Sequence, residues 1–80
     1  MAQYYFDLRS NNAVSHDEEG IELLDAEAAH GAALHALLTT AREAVLEGSL
    51  NQRFAVEVRD WAGPVLEIVA DFHSRIFRTH

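Results

Sequence analysis

The sequence predicts an α+β domain of the order β-β-α-β-β: a four-stranded antiparallel sheet with one helix packed on one face. Three observations carry this. Residues 25–48 repeat their apolar positions with helical spacing. Residues 3–9 and 13–23 before them, and 53–60 and 65–70 after them, read as extended chain. Short polar or glycine-containing turns divide each extended pair, so hairpins are the natural connection. One helix can cover only one face of such a sheet, which leaves the other in want of solvent or company.

The first segment alternates, with Tyr4, Phe6 and Leu8 on one face and Tyr5, Asp7 and Arg9 on the other. Ser10-Asn11-Asn12 follows as a polar turn, and Ala13-Val14-Ser15-His16 can pair back. Asp17-Glu18-Glu19-Gly20 is a second turn, with Gly20 able to supply a positive φ. Ile21 and Leu23 resume the alternation. Asp25 is placed to cap the helix, where its carboxylate accepts a first-turn amide at the positive end of the dipole. At 100° per residue His30, Leu34, Leu37, Leu38, Ala41 and Val45 form one stripe, widened by Ala26, Ala33 and Ala44. Gly48 suits the position that ends the helix.

The second half repeats the strand logic. Phe54, Val56 and Val58 alternate with Ala55, Glu57 and Arg59. Asp60-Trp61-Ala62-Gly63 is a hairpin loop with Pro64 at its edge. In the last strand Leu66, Ile68 and Ala70 oppose Val65, Glu67 and Val69. Residues 1–70 are therefore expected as the domain and residues 71–80 as a tail, with Phe72, Ile76 and Phe77 at helical spacing. Pairing the strands 2-1-3-4 keeps every neighbour antiparallel. Tyr5, Val65 and Val69 then fall on the uncovered face, which is mixed rather than plainly solvated.

Composition narrows the function classes. Eighty residues without cysteine must be stabilised by one hydrophobic core, with no disulfide and no cysteine-based zinc site. Thirteen acidic residues against six arginines, with no lysine, give a charge of −7 that repels phosphate backbones, so no nucleic-acid partner is expected. The first residues carry no basic and apolar leader pattern, and no apolar run is long enough to span a bilayer. A cytoplasmic protein without membrane contact is the expectation. Asp17, Glu18, Glu19, Glu22, Asp25 and Glu27 crowd one end, while His73, Arg75, Arg78 and His80 make the tail basic. These are either two solvated patches or two that attract each other.

Chemistry-bearing patterns are sparse. His16 with its neighbouring carboxylates, and His30 or His35, offer nitrogen and oxygen ligands to a divalent metal. No His-x-x-x-His spacing supports that over a polar turn, and no cofactor is expected. His30 within the stripe is either a base or a core-edge residue with one hydrogen bond. Asp7 and Glu57 share a face with Arg9 and Arg59, which favours cross-strand ion pairs over acid–base work. Ser15, Ser49 and Ser74 lack any nucleophile elbow, and no glycine-rich phosphate loop is present.

Three stretches carry a resemblance. They are Tyr4-Tyr5-Phe6-Asp7-Leu8-Arg9, His16-Asp17-Glu18-Glu19-Gly20-Ile21-Glu22-Leu23-Leu24-Asp25-Ala26-Glu27-Ala28-Ala29, and Phe54-Ala55-Val56-Glu57-Val58-Arg59-Asp60-Trp61-Ala62-Gly63-Pro64-Val65-Leu66. Together they resemble a family of small uncharacterised proteins of soil and plant-associated alphaproteobacteria. Its pattern joins an aromatic first strand, D-x-x-G-x-E-L-x-D-x-x-A-A and a closing V-x-D-x-x-G-x-V hairpin. The resemblance spans about residues 4–70 and implies a fold grouping, with no reaction or ligand to transfer. A looser similarity is to antitoxin domains of the partial ribonuclease-H kind, at the level of fold alone.

The residues then point to a non-enzymatic module that self-associates, most simply as a dimer. Trp61, Phe72, Ile76, Phe77, Tyr5, Val65 and Val69 are its candidate contacts. For Trp61 the alternative is a ring folded over the tail or the sheet edge. The alternative functions are an antitoxin- or regulator-like domain that binds a protein partner through its acidic surface, and a small metal- or ligand-binding protein using His16.

Overall fold

A computed structural model describes residues 1–11, 13–48 and 52–79. Asn12 of the expected first turn, Ser49 and the tail's His80 lie outside the described residues. The elements run β1 (Ala2–Ser10), β2 (Ala13–Ser15), β3 (Ile21–Leu23), α1 (Ala26–Leu46), β4 (Gln52–Asp60) and β5 (Gly63–Phe72). The architecture is α+β, an antiparallel sheet with α1 packed on it. The sheet order is β2-β1-β4-β5, with β3 also on β1.

The second expected strand is split in two along β1. Leu8, Arg9 and Ser10 pair with Ser15, Val14 and Ala13, whereas Ala2, Gln3 and Tyr4 pair with Leu23, Glu22 and Ile21. The turn between them is set by Asp17, whose Oδ1 accepts the amides of Glu19 and Gly20 at 3.1 and 3.2 Å. Gly20 has φ +75°. A Cβ there would lie 2.8 Å from the Tyr5 ring and 2.9 Å from the Tyr4 carbonyl oxygen, so only glycine fits.

Asp25 caps α1 as expected, accepting the Ala28 amide at 2.9 Å. The buried core consists of Tyr4 from β1, Ala29, Ala33, Leu37 and Ala41 from α1, and Phe54, Val56 and Val58 from β4. Three of the four buried helix positions are alanine. Small side chains let the helix axis sit close over β4, and the larger ones are displaced to its flanks.

That displacement corrects the expected stripe. Its members His30, Leu34, Leu38 and Val45 are exposed, with Leu38 at 62 % and Val45 at 52 %. The buried line is rotated by roughly 70° from the stripe read from hydrophobicity. The leucines mark the side of the helix, and the alanines mark its underside.

Two further expectations change. The β4–β5 register slips between Val58 and Arg59: Val58 faces Leu66 and Arg59 faces Pro64, leaving Val65 as the extra residue of a bulge. Val65 thereby joins Leu66, Ile68 and Ala70 packed against the core rather than the uncovered face. The strand also outlasts its expected end. Arg53 pairs with Asp71 and Gln52 with Phe72, because the alternation Ile68, Ala70, Phe72 continues with period two. The tail therefore begins at His73, and Phe72 belongs to the sheet rather than to a helical tail.

Candidate functional site

The uncovered face of the sheet carries a polar network that joins β1, the 16–20 turn and β4. Arg59 projects from β4 opposite Tyr5. Its Nε donates to Asp7 Oδ2 at 2.9 Å, and its Nη2 donates to the Asp17 carbonyl oxygen at 2.7 Å. Its Cζ lies 4.6 Å from the Tyr5 ring centroid, a cation–π contact. Nη2 also approaches His16 Nε2 at 3.0 Å, while His16 Nδ1 lies 3.3 Å from Asp7 Oδ1. A guanidinium can only donate, so Nε2 accepts and Nδ1 carries the proton toward Asp7.

Two carboxylates organise this network. Asp7 Oδ1 also accepts the Asp17 amide at 2.9 Å. Asp17 Oδ2 accepts the Phe6 amide at 3.0 Å, tying the turn to β1. Burial pushes the Asp7 carboxyl up, but the Arg59 hydrogen bond, the Asp17 amide and the charge of Arg59 outweigh it. Its pKa is held below the ordinary carboxylate value. At Asp17 burial again pushes upward, and the amides of Phe6, Gly20 and Glu19 prevail over it and over the Asp7 charge, so this pKa is lowered too.

Carboxyls with depressed native pKa values bind fewer protons in the folded than in the unfolded chain at acid pH. Their stabilisation is fully present above the unfolded value of about 4 and is lost as pH falls through the depressed native values. Melting temperature should drop as pH is lowered from about 6 to about 3, and Asp7→Asn should flatten that slope. Thermal scans at constant ionic strength check both.

Arg59 Nε and Nη2 donate to protein acceptors, His16 Nε2 among them, and His16 Nδ1 lies beside Asp7. Among the described residues no three His, Asp or Glu side chains are grouped to hold a metal ion. Across the face Asp7 stands opposite Glu57, and Glu57 opposite Glu67. That acidic row repels a second copy of the same face. Val69, opposite Ala55, is 42 % exposed, and Tyr5 is covered by Arg59.

The apolar candidates lie elsewhere. Trp61 at the β4–β5 hairpin is 91 % exposed, and its ring does not fold over the sheet edge. Phe72 packs its ring 5.7 Å from Phe54 at 60°. It also lines a groove of about 300 Å³ with Leu38, Ala41, Arg42, Val45 and Leu46. Ile76 and Phe77 are 66 % and 86 % exposed in irregular chain rather than a helix. A second groove of about 340 Å³ lies on the opposite flank of α1, between Phe6, Ile21, Ala32 and Ala36. Sequence reasoning missed the Asp7–His16–Arg59 link and both grooves. The cross-strand pairing of Asp7 and Arg59 was legible, but the part of His16 depends on the turn folding back over β1.

Among the described residues no helix is long and apolar enough to cross a membrane. A family model described as a domain of unknown function, DUF6894, matches residues 3–73. That span contains the polar network, both grooves, Trp61 and Phe72. No curated protein and no solved structure matches the chain.

Proposed function

We propose, for a chain that belongs to the DUF6894 family of unknown function, a role as a non-enzymatic, cytoplasmic module that binds a second copy of itself. The supporting observation is the apolar surface left uncovered along one flank of α1 beside Phe72, with further exposed apolar side chains in the tail. Leu38, Val45, Leu46, Ile76 and Phe77 are each more than half exposed. Exposed apolar surface such as the Leu38–Val45–Leu46 flank is the kind that marks interaction sites. The sheet face carries the acidic row of Asp7, Glu57 and Glu67, which repels its own copy, so in this reading the interface lies on the helix side rather than behind the sheet.

Light scattering across a concentration series tests this. The expected result is a mass rising to twice that of the single chain, with Leu38→Glu returning it to the monomer. A monomeric mass at every concentration refutes the reading.

A second reading has an observation of its own. Of the six acidic residues near the helix entrance, Asp17 and Asp25 are consumed by turn and cap, while Glu18, Glu19, Glu22 and Glu27 stay exposed. That remainder suits a basic protein partner, as in a regulator-like domain. Salt-sensitive co-purification of a basic protein with the unmodified chain, lost on Glu18→Lys/Glu22→Lys, supports it.

A further inference from the structure

We propose that two copies join edge to edge through β5, in an antiparallel register centred on Ile68, so that the two sheets run on as one. This rests on the self-association reading and names its geometry.

The two edges of the sheet differ. On the β1 side the edge is made of two three-residue strands, broken by the acidic 16–20 turn. Short, interrupted and charged edges resist pairing with another chain. On the other side β5 is a ten-residue strand at the end of the sheet order. Pro64 and the Val65 bulge guard only its start. From Leu66 to Phe72 it has no proline, glycine or lysine. Such a run presents an open row of backbone donors and acceptors, which is complementary to itself when antiparallel.

The helix points to the same edge. At 100° per residue Leu34, Leu38 and Val45 lie within about 40° of one another. Leu38 and Val45 line the groove that Phe72 closes, so this row faces the β5 side. The apolar stripe is thus off-centre toward the edge, as if the sheet beneath it were wider. A second sheet continuing past β5 supplies that width. Antiparallel pairing about a two-fold axis normal to the sheet keeps both helices on one face and sets the two grooves side by side.

Charge selects the register. Facing residues must lie on the same side of the joined sheet. Centring on Glu67 sets that carboxylate against its own copy. Centring on Val69 sets Glu67 against Asp71. Both are penalised. Centring on Ile68 sets Ile68 against itself, Leu66 against Ala70, and Glu67 against Val69, with no carboxylates facing. Centres nearer either end run into the Val65 bulge or off the strand at Phe72.

The test combines sedimentation equilibrium with hydrogen exchange. In the unmodified chain, amide protection over residues 66–70 is expected to rise with protein concentration. Val69 lies on the open face and is 42 % exposed, so V69K is compatible with the fold. In the proposed register the new ammonium meets Glu67 of the other copy twice per dimer, and dimerisation should tighten by about 2- to 30-fold. In a register centred on Val69 the two ammoniums would face each other and weaken it. A monomer at all concentrations overturns the self-association reading and this geometry with it. A dimer without added β5 protection leaves self-association standing and overturns edge pairing. A dimer with β5 protected but weakened by V69K overturns the register.

Discussion

Arg59→Ala should destabilise the domain by about 2–3 kcal/mol, measured by urea unfolding. The side chain holds four partners at once: Asp7, His16, the Asp17 carbonyl and the Tyr5 ring. Removing it leaves the Asp7 carboxylate, only 14 % exposed, without its cation. A half-buried charge robbed of its partner costs more than the pair itself contributed. Two companions separate this from general loss of packing. Arg59→Lys should recover only part of the loss, since an ammonium cannot span the carboxylate, the imidazole and the carbonyl with a planar fork. Asp7→Asn made together with Arg59→Ala should be less destabilised than Arg59→Ala alone, because the orphaned charge is gone.

Gly20→Ala should cost about as much, ~2–4 kcal/mol, for a different reason. Its φ of +75° is unfavourable for any residue with a Cβ. The added methyl would also press on the Tyr5 ring at 2.8 Å and on the Tyr4 carbonyl at 2.9 Å. The ring can yield only by leaving the Arg59 guanidinium, so the strain passes into the polar network. Gly31→Ala is the control of opposite sign. It lies on α1 with nothing within 4 Å of the new Cβ, and should stabilise by about 0.5–1 kcal/mol. Equal destabilisation at both glycines would contradict the role given to the Gly20 turn.

The elements themselves were readable because each has a local cause. Asp25 caps, Gly48 ends the helix at φ +99°, and Phe54, Val56 and Val58 bury every second side chain. What could not be read is what depends on tertiary distance. Hydrophobicity weights leucine over alanine, so it pointed to the Leu34–Leu38–Val45 flank. The close approach of helix to sheet instead selected Ala29, Ala33 and Ala41. Strict alternation placed Val65 on the outer face, whereas the one-residue slip after Val58 turned it inward. The mixed outer face suggested adhesion. Pairing across strands put Asp7, Arg59 and Glu57 where they answer or repel one another, and the exposed apolar surface moved to the helix side.

The polar network closes the sheet within the chain, and the proposed role assigns the apolar flank to a second copy. Isotope-filtered NMR on an equal mixture of labelled and unlabelled chains probes that assignment directly. Intermolecular contacts are predicted at the Leu38 and Val45 methyls and the Phe72 ring, with none at Tyr5 or Arg59. Contacts gathered at Tyr5 and Arg59 instead, or none anywhere at high concentration, would contradict it.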